Sequence, residues 1–491
     1  MRARRIAAAL AVACSLAACK VGPNFKQPNE PVPDRYAGAV DEHVSDANPD
    51  STWWRQFHDA QLEQLEAQTA AGNLDLKAAF LRIVEARMQV QIARAQGLPT
   101  LNGTGSYERE QLGLAGILKS QHVEVGPTAS PAEQGLINSL ESPVNVYQLG
   151  FDASWELDLF GKVRRSVEAA DAQSQSAVEA RNDLLVSMEA EVAQDYFQLR
   201  ASQMLRKITS EEIGAQREVY DLTVSRHEHG LAGEADVDSA KAQLSSLESQ
   251  LPPYVQNIAA AKHALAVLTG QPPEALDTEF GDDGALPALP PTVPTGVPAS
   301  LARRRPDIRE SEASLHAATA QVGVSVASLF PDVSLSGTVG LRNLSTGYLF
   351  NWDSHFYTMG SSVSVPIFQG GALLANVRLT RAQAAEAALQ YRKTVLNALQ
   401  EVEDGLTSLT QDASRTNSLQ ESVTANQKAL DVNLDSYRHG LATYITVLTV
   451  QIQLVQAQQQ LAQAALTQST DMVKLYKALG GGWEDVGPGK P

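Results

Sequence analysis

The chain of 491 residues carries 39 Lys and Arg against 56 Asp and Glu, a net charge of −17. That balance excludes a nucleic-acid ligand, which needs a basic face to neutralise phosphates. The length permits two or three ordinary domains or one extended architecture, and long tracts of Ala, Gln, Ser and Leu favour helix.

In chain order, residues 1–18 read as a secretion signal. Met1 to Arg5 supply a positive start and Ile6 to Ala18 an apolar run. That run is too short to span a bilayer, which takes roughly 20 residues. It ends in Leu16-Ala17-Ala18-Cys19, which resembles the bacterial lipoprotein signal box. The resemblance implies cleavage before Cys19, which would carry S-diacylglycerol and an N-acyl chain. Lys20 follows, not the aspartate of inner-membrane retention, so delivery to the outer membrane is expected. Removing the signal loses three arginines and takes the net charge from −17 to −20. A lipid-anchored extended segment would occupy 19–58.

The rest is one plan written twice. An offset of 210 places Gly161 on Gly371, Gly230 on Gly440 and Gly270 on Gly480. Upstream an offset of 232 places Asp75 on Asp307 and Pro99 on Pro331, so the first hairpin has the longer loop, within Glu110–Pro143. Repeat 1 covers 59–270 and repeat 2 covers 301–480, with a tail at 481–491. Between them residues 271–300 hold seven of the 23 prolines and read as an extended connector.

Each repeat reads helix, strand, loop, strand, long helix, turn, helix. Strands are expected near 100–109, 144–159, 332–342 and 356–368. In the second of these, Tyr147, Leu149, Phe151, Ala153, Trp155 and Leu157 alternate with Gln148, Gly150, Asp152, Ser154, Glu156 and Asp158. Trp155, Phe356 and Tyr357 are candidates for an interfacial aromatic girdle. The long helices, 162–229 and 372–439, each cover 68 residues without proline. At 1.5 Å per residue each is about 100 Å long. Return helices are expected over 234–270 and 443–479.

An exported chain with amphipathic strands and no second apolar layer points to a membrane barrel, where every backbone group must be paired. Four strands cannot close, because the smallest bacterial barrels have about eight. Subunits must pool strands, and the acids Asp152, Glu156 and Asp158 suit the water-filled lumen of three chains better than the packed lumen of two.

The segments CKVGPNFKQP (19–28), WWRQFHDAQLEQL (53–65), LARRRPDIRESEASLHAATAQVGVSVASLFPDVSLSG (301–337) and MVKLYKALGGGW (472–483) resemble the TolC-like outer-membrane factors. The likeness is to the lipoprotein branch serving RND-type multidrug efflux. It implies an α+β membrane protein, a homotrimer with a twelve-stranded β-barrel continuous with a periplasmic α-helical barrel. Its partners would be a periplasmic adaptor protein, an inner-membrane RND pump and outer-membrane lipid. It would be a passive conduit, not an enzyme, and would need no cofactor beyond the covalent lipid. A type I protein-secretion outlet shares this architecture; a trimeric envelope scaffold is the rival from another class.

In such a family the turns between long and return helices close the periplasmic end and meet the partners, here through Gly230, Leu231, Gly440 and Leu441. Members often carry aspartates after the second turn, where this chain has Thr446 and Thr449. Glu234 and Asp236 are therefore expected to narrow the entrance electrostatically, and Leu441 and Tyr444 sterically. The alternative is that the acids merely favour a helix start. His227 and His229 have no cysteine or methionine beside them and read as surface residues. Asp282-Asp283 reads as a solvated loop pair. Gly480-Gly481-Gly482 follows a helix instead of preceding one, so it is no phosphate loop. No nucleophile is paired with a base, which leaves catalysis without support.

Overall fold

A computed structural model of one chain describes residues 20–111, 142–281 and 283–483, apart from 30, 39–43, 46, 48 and 49. The signal segment, Cys19, most of the first hairpin loop, Asp282 and the tail beyond 483 lie outside the described residues. No described helix is long and apolar enough to cross a membrane.

Nine helices and four principal strands make up the described chain. The helices are α1 (Ala60–Gly72), α2 (Leu74–Ala95), α3 (Lys162–Glu228), α4 (Glu234–Glu248), α5 (Leu251–Leu268), α6 (Pro298–Arg304), α7 (Pro306–Ala327), α8 (Ala372–Arg438) and α9 (Tyr444–Ala478). The strands are β1 (Thr100–Glu110), β2 (Val144–Leu157), β3 (Asp332–Asn343) and β4 (His355–Ser364). Segments expected as single helices are broken where backbone chemistry requires it. Asn73 divides α1 from α2, its side chain accepting from Asp75 and Leu76 at 2.9 and 3.0 Å. Prolines at 252–253 and at 306 open α5 and α7, since proline fits the first turn of a helix and not its interior.

Two compact units divide the chain. One comprises 1–26, 87–172 and 316–385; the other comprises 27–86, 173–315 and 386–491. The first is built on a four-stranded antiparallel sheet in the order β1-β2-β3-β4. Its registers obey the sequence repeat: Thr100 pairs with Ser154 in the first hairpin, and offsets of 232 and 210 carry that pair to Asp332 and Ser364, which pair in the second. Among the described residues no strand lies beside the outer edges of β1 and β4.

Below the sheet the segment Lys20–Phe25 is strapped to α3. Buried Arg165 donates to the carbonyls of Val21 and Gly22 at 3.1 and 3.2 Å and to Asn24 Oδ1 at 2.8 Å. Glu168 takes Lys20 Nζ as an ion-pair partner and has His316 Nε2 at 3.2 Å, against whose ring Phe25 stacks at 4.4 Å. Burial works against the charge of Glu168, but hydrogen bonds from Lys20, His316 and Arg165 hold its carboxyl down at about 2. At Gly22, with φ +88°, a Cβ would press on the backbone of Gly323; only glycine allows that crossing.

The second unit owns an apolar core around Trp53, stacked on Tyr476 at 5.2 Å, and Phe57, 5.1 Å from Phe197. Asp59 caps α1 by accepting from Gln61 and Leu62, and its other oxygen takes the Tyr196 hydroxyl at 2.7 Å. Arg305, which ends α6, forks onto Asp307 at 3.0 and 2.7 Å and also reaches Glu401 and the Ala478 carbonyl at 2.6 and 2.9 Å. A short parallel pairing of Val44–Ser45 with Val293–Pro294 holds the proline-rich connector.

Candidate functional site: the strand wall and the helix-turn tips

Strand alternation sorts the sheet into two faces. One carries the cross-strand rows Gly103–Phe151–Val339–Tyr357 and Gly105–Leu149–Leu341–His355. Its large apolar side chains stand in the open: Phe151, Val339, Tyr357 and Met359 are all exposed. A face this greasy without cover marks a contact with lipid or protein.

The opposite face carries the row Asn102–Asp152–Thr338–Thr358. Asp152 accepts from the hydroxyls of Thr104 and Thr338, each at 2.7 Å. Glu156 shares this face and receives Lys162 Nζ at 3.1 Å, with Asp332 3.6 Å from the same ammonium. Arg342 also stands here, donating to Gln148 Oε1 at 2.9 and 2.6 Å. Sequence reading missed Arg342. Its parity with Gln148 across the β2–β3 ladder is the signal that places it, and that ladder is not visible in either strand alone.

Three expectations on the strands are corrected. β2 ends at Leu157, and Asp158 lies beyond it, where its carboxylate accepts the backbone N–H groups of Val163 and Arg164 at 3.1 and 3.0 Å and pairs with the Arg164 guanidinium. Asp158 thus ties strand to helix by satisfying donors that a helix start leaves free, and it does not line the polar face. Phe356, grouped with Trp155 and Tyr357, lies on the other face from them: it stands opposite Gly340, under the Arg342 guanidinium at 5.2 Å. β4 also stops at Ser364, short of 368, leaving Ile367 and Phe368 exposed.

The tips belong to the other unit. Both turns close alike: Leu231 N–H donates to the Arg226 carbonyl and Leu441 N–H to that of Ser436, each at 2.8 Å, around glycines at φ +72° and +76°. Such left-handed closure favours glycine at 230 and 440. Leu231 and Leu441 project outward, 69% and 83% exposed. Glu234 is exposed, whereas Asp236 is half-buried and accepts the Gly233 N–H at 3.1 Å, one half of a capping box.

Tyr444 is corrected. It is only 4% exposed, packed in a core with Val219, Ala240, Leu430, Tyr437 and Val447. Its hydroxyl accepts from Gln216 Nε2 at 3.2 Å, and burial pushes that hydroxyl up while the Gln216 bond opposes the shift. A side chain so enclosed narrows nothing; it joins α9 to α3. Arg226 completes this latch, lying 4.5 Å over the Tyr437 ring and donating to the Tyr437 carbonyl at 2.8 Å. The repeat hides it, because the mates of Tyr437 and Tyr444 under the offset of 210 are His227 and Glu234. His227 and His229 each turn Nδ1 to a backbone carbonyl, at 3.0 and 2.7 Å. Among the described residues no group of three or more metal-ligating side chains gathers.

Comparison with known proteins gives this geometry its context. The sequence matches the family described as outer membrane efflux protein over residues 65–271 and 297–481. It is 31% identical over 487 residues to nodulation protein T of Rhizobium leguminosarum bv. viciae, covering 98% of this chain and 94% of that one. It is also 31% identical over 475 residues to the probable efflux pump outer membrane protein TtgC of Pseudomonas putida, covering 95% and 93%. Among solved structures, the outer-membrane channel OprN superimposes with a TM-score of 0.85 at 32% identity, over 95% of this chain and all of that one.

Proposed function

The chain belongs to the outer membrane efflux protein family, and from that premise we propose that it is the outer-membrane exit channel of a tripartite efflux pump. One observation carries the reading: a four-stranded sheet, apolar and exposed on one face, polar on the other, with both edges open among the described residues. Open edges cannot persist in hydrocarbon, where each unpaired N–H or C=O costs several kcal/mol. Identical copies sharing strands remove them. Three copies give twelve strands and a lumen wide enough for water, lined by Asp152, Glu156 and Arg342. The long helices α3 and α8 continue the duct into the periplasm. The tips at Leu231 and Leu441 meet the adaptor and an RND-type pump, and Glu234 sets the charge of the entrance.

In this reading Cys19 is acylated and anchors the chain in the outer membrane beside the strap at Lys20–Phe25. Cargo passes through unchanged, driven by the pump. The test is planar-bilayer recording on protein extracted in mild detergent, with its mass measured by light scattering. A conducting trimer is expected. A monomer that passes no current overturns the proposal, and mass spectrometry showing an unmodified Cys19 removes the anchor from it.

A further inference from the structure

We infer that Arg342 and Phe356 form a weak binding site for planar aromatic anions on the polar face, at the hairpin end of the sheet. The inference rests on the channel reading, which turns that face to the lumen, and adds a class of cargo that the wall itself recognises.

The site starts from an uncompensated charge. Lys162 reaches the polar face too, but Glu156 and Asp332 hold it. Among the described residues no carboxylate pairs with Arg342. Glu108 and Glu110 share its face but stand on β1, with β2 between. The guanidinium is nevertheless fixed. Nε and Nη2 both donate to Gln148 Oε1, at 2.9 and 2.6 Å, and the central carbon lies 5.2 Å over the Phe356 ring. Arg342 is exposed, and among the described residues Nη1 makes no further bond. A guanidinium held this way offers a carboxylate an N–H edge and an aromatic ring a flat cationic side, with little ordering left to lose on binding.

The ladder leaves room for the ring. The next row inward is Thr104–Gly150–Gly340–Phe356, so two neighbouring strands carry no side chain between Thr104 and Phe356. A Cβ on Gly150 would stand 2.7 Å from the Val339 carbonyl oxygen, and one on Gly340 2.7 Å from the Gly150 Cα. Glycine at both positions therefore keeps the floor bare. Asp152 lies in the row beyond, and rows on one face are about 7 Å apart. Arg342 and Asp152 thus bound the bare patch on opposite sides, about 14 Å apart by strand rise. Asp152 repels an anionic group and directs it toward Arg342, which leaves the flat ring on the glycines beside Phe356. Water fills the lumen, so the attachment is shallow, as transit requires: cargo must bind well enough to enter and weakly enough to leave.

The test is bilayer recording on the assembled full chain, with naphthoate added at the hairpin end of the barrel. Brief current interruptions are expected, and fewer at equal concentration from cyclohexanecarboxylate, which is charged but not flat, or from naphthamide, which is flat but uncharged. Arg342→Gln should weaken the naphthoate block about tenfold, the scale of losing a hydrogen bond to a charged group. Arg342→Lys keeps the charge without the flat fork, so naphthoate should then block no better than cyclohexanecarboxylate. Equal block of parent and Arg342→Gln by naphthoate, or equal block of the parent by the two carboxylates, overturns the site and leaves the channel standing. A parent that passes no current overturns both.

Discussion

The Tyr444 hydroxyl lies 3.2 Å from Gln216 Nε2, and its ring packs against that of Tyr437, with centroids 6.2 Å apart and planes at 58°. Leu441, three residues before Tyr444, is exposed. Position near a tip therefore does not decide role. Tyr444→Ala should cost about 3–5 kcal/mol, as for other large-to-small changes in a packed core. It should raise single-channel conductance by loosening α9 from α3. Tyr444→Phe should cost only about 0.5–1.5 kcal/mol, one hydrogen bond. Leu441→Ala should leave the melting temperature unchanged and weaken adaptor association. Thermal melts and bilayer recordings separate these outcomes; an unchanged melt for Tyr444→Ala contradicts the latch.

The strand acids divide in the same way. Asp152 is held by two threonine hydroxyls on the polar face, while Asp158 serves the start of α3. Asp158→Ala should lower stability by about 0.5–2 kcal/mol, the usual cost of losing a helix cap, and leave ion preference alone. Asp152→Asn keeps one acceptor oxygen and should shift the reversal potential toward less cation preference, with little change in melting. Equal effects on reversal potential from both variants would return Asp158 to the lumen.

How much of this could be read from sequence depended on whether periodicity or long-range pairing carried it. The alternation from Tyr147 to Leu157 exposes the two faces of β2 without any structure, and the glycine spacing exposes the repeat. The breaks at Asn73 and Arg305 were not legible, because they depend on local caps and on prolines inside stretches that otherwise look helical. Tyr444 was misplaced since its neighbours, Gln216 and Tyr437, come from other helices. Arg342 and Phe356 needed the ladder, which fixes parity across strands that sequence treats separately.

Arg305 is a case where the motif was plain and the reason was not. Its guanidinium makes a bidentate pair with Asp307 and reaches both Glu401 and the Ala478 carbonyl, so one side chain joins the start of α7 to α8 and to the end of α9. Removing one partner of a nearly buried pair leaves charge uncompensated, typically about 3–5 kcal/mol. Arg305→Ala should lose that much in chemical denaturation. Arg305→Lys should recover only part, because an ammonium cannot fork onto a carboxylate. Full recovery by lysine would show that charge alone, not the forked geometry, holds the three helices.

The pH dependence of stability should turn on Glu66 and Glu189. Both are about 2% exposed, and among the described residues both oxygens of Glu66 and Oε2 of Glu189 lack hydrogen-bond partners. Burial first, then the neighbouring Glu189, pushes Glu66 well above the usual carboxylate range; burial does the same to Glu189 against the opposing pull of Arg181. An acid whose folded pKa is raised holds its proton longer when folded than when unfolded. Its contribution is whole below the unfolded value, near 4.3, and is lost as pH climbs from there toward the raised value. Alkaline conditions should therefore destabilise the helical unit. Glu66→Gln keeps the shape without the charge, so it should match the parent near pH 4 and exceed it by about 1–3 kcal/mol at pH 8, the scale of an unsatisfied buried polar group. Gly482 sits against Glu189 at φ +119°, where a Cβ would strike the carboxylate. An alkaline loosening should therefore appear as faster amide exchange in 481–483. Parallel stability curves for parent and Glu66→Gln across pH 4–9 would mean that neither carboxyl titrates on unfolding, and the pair would lose its part in pH response.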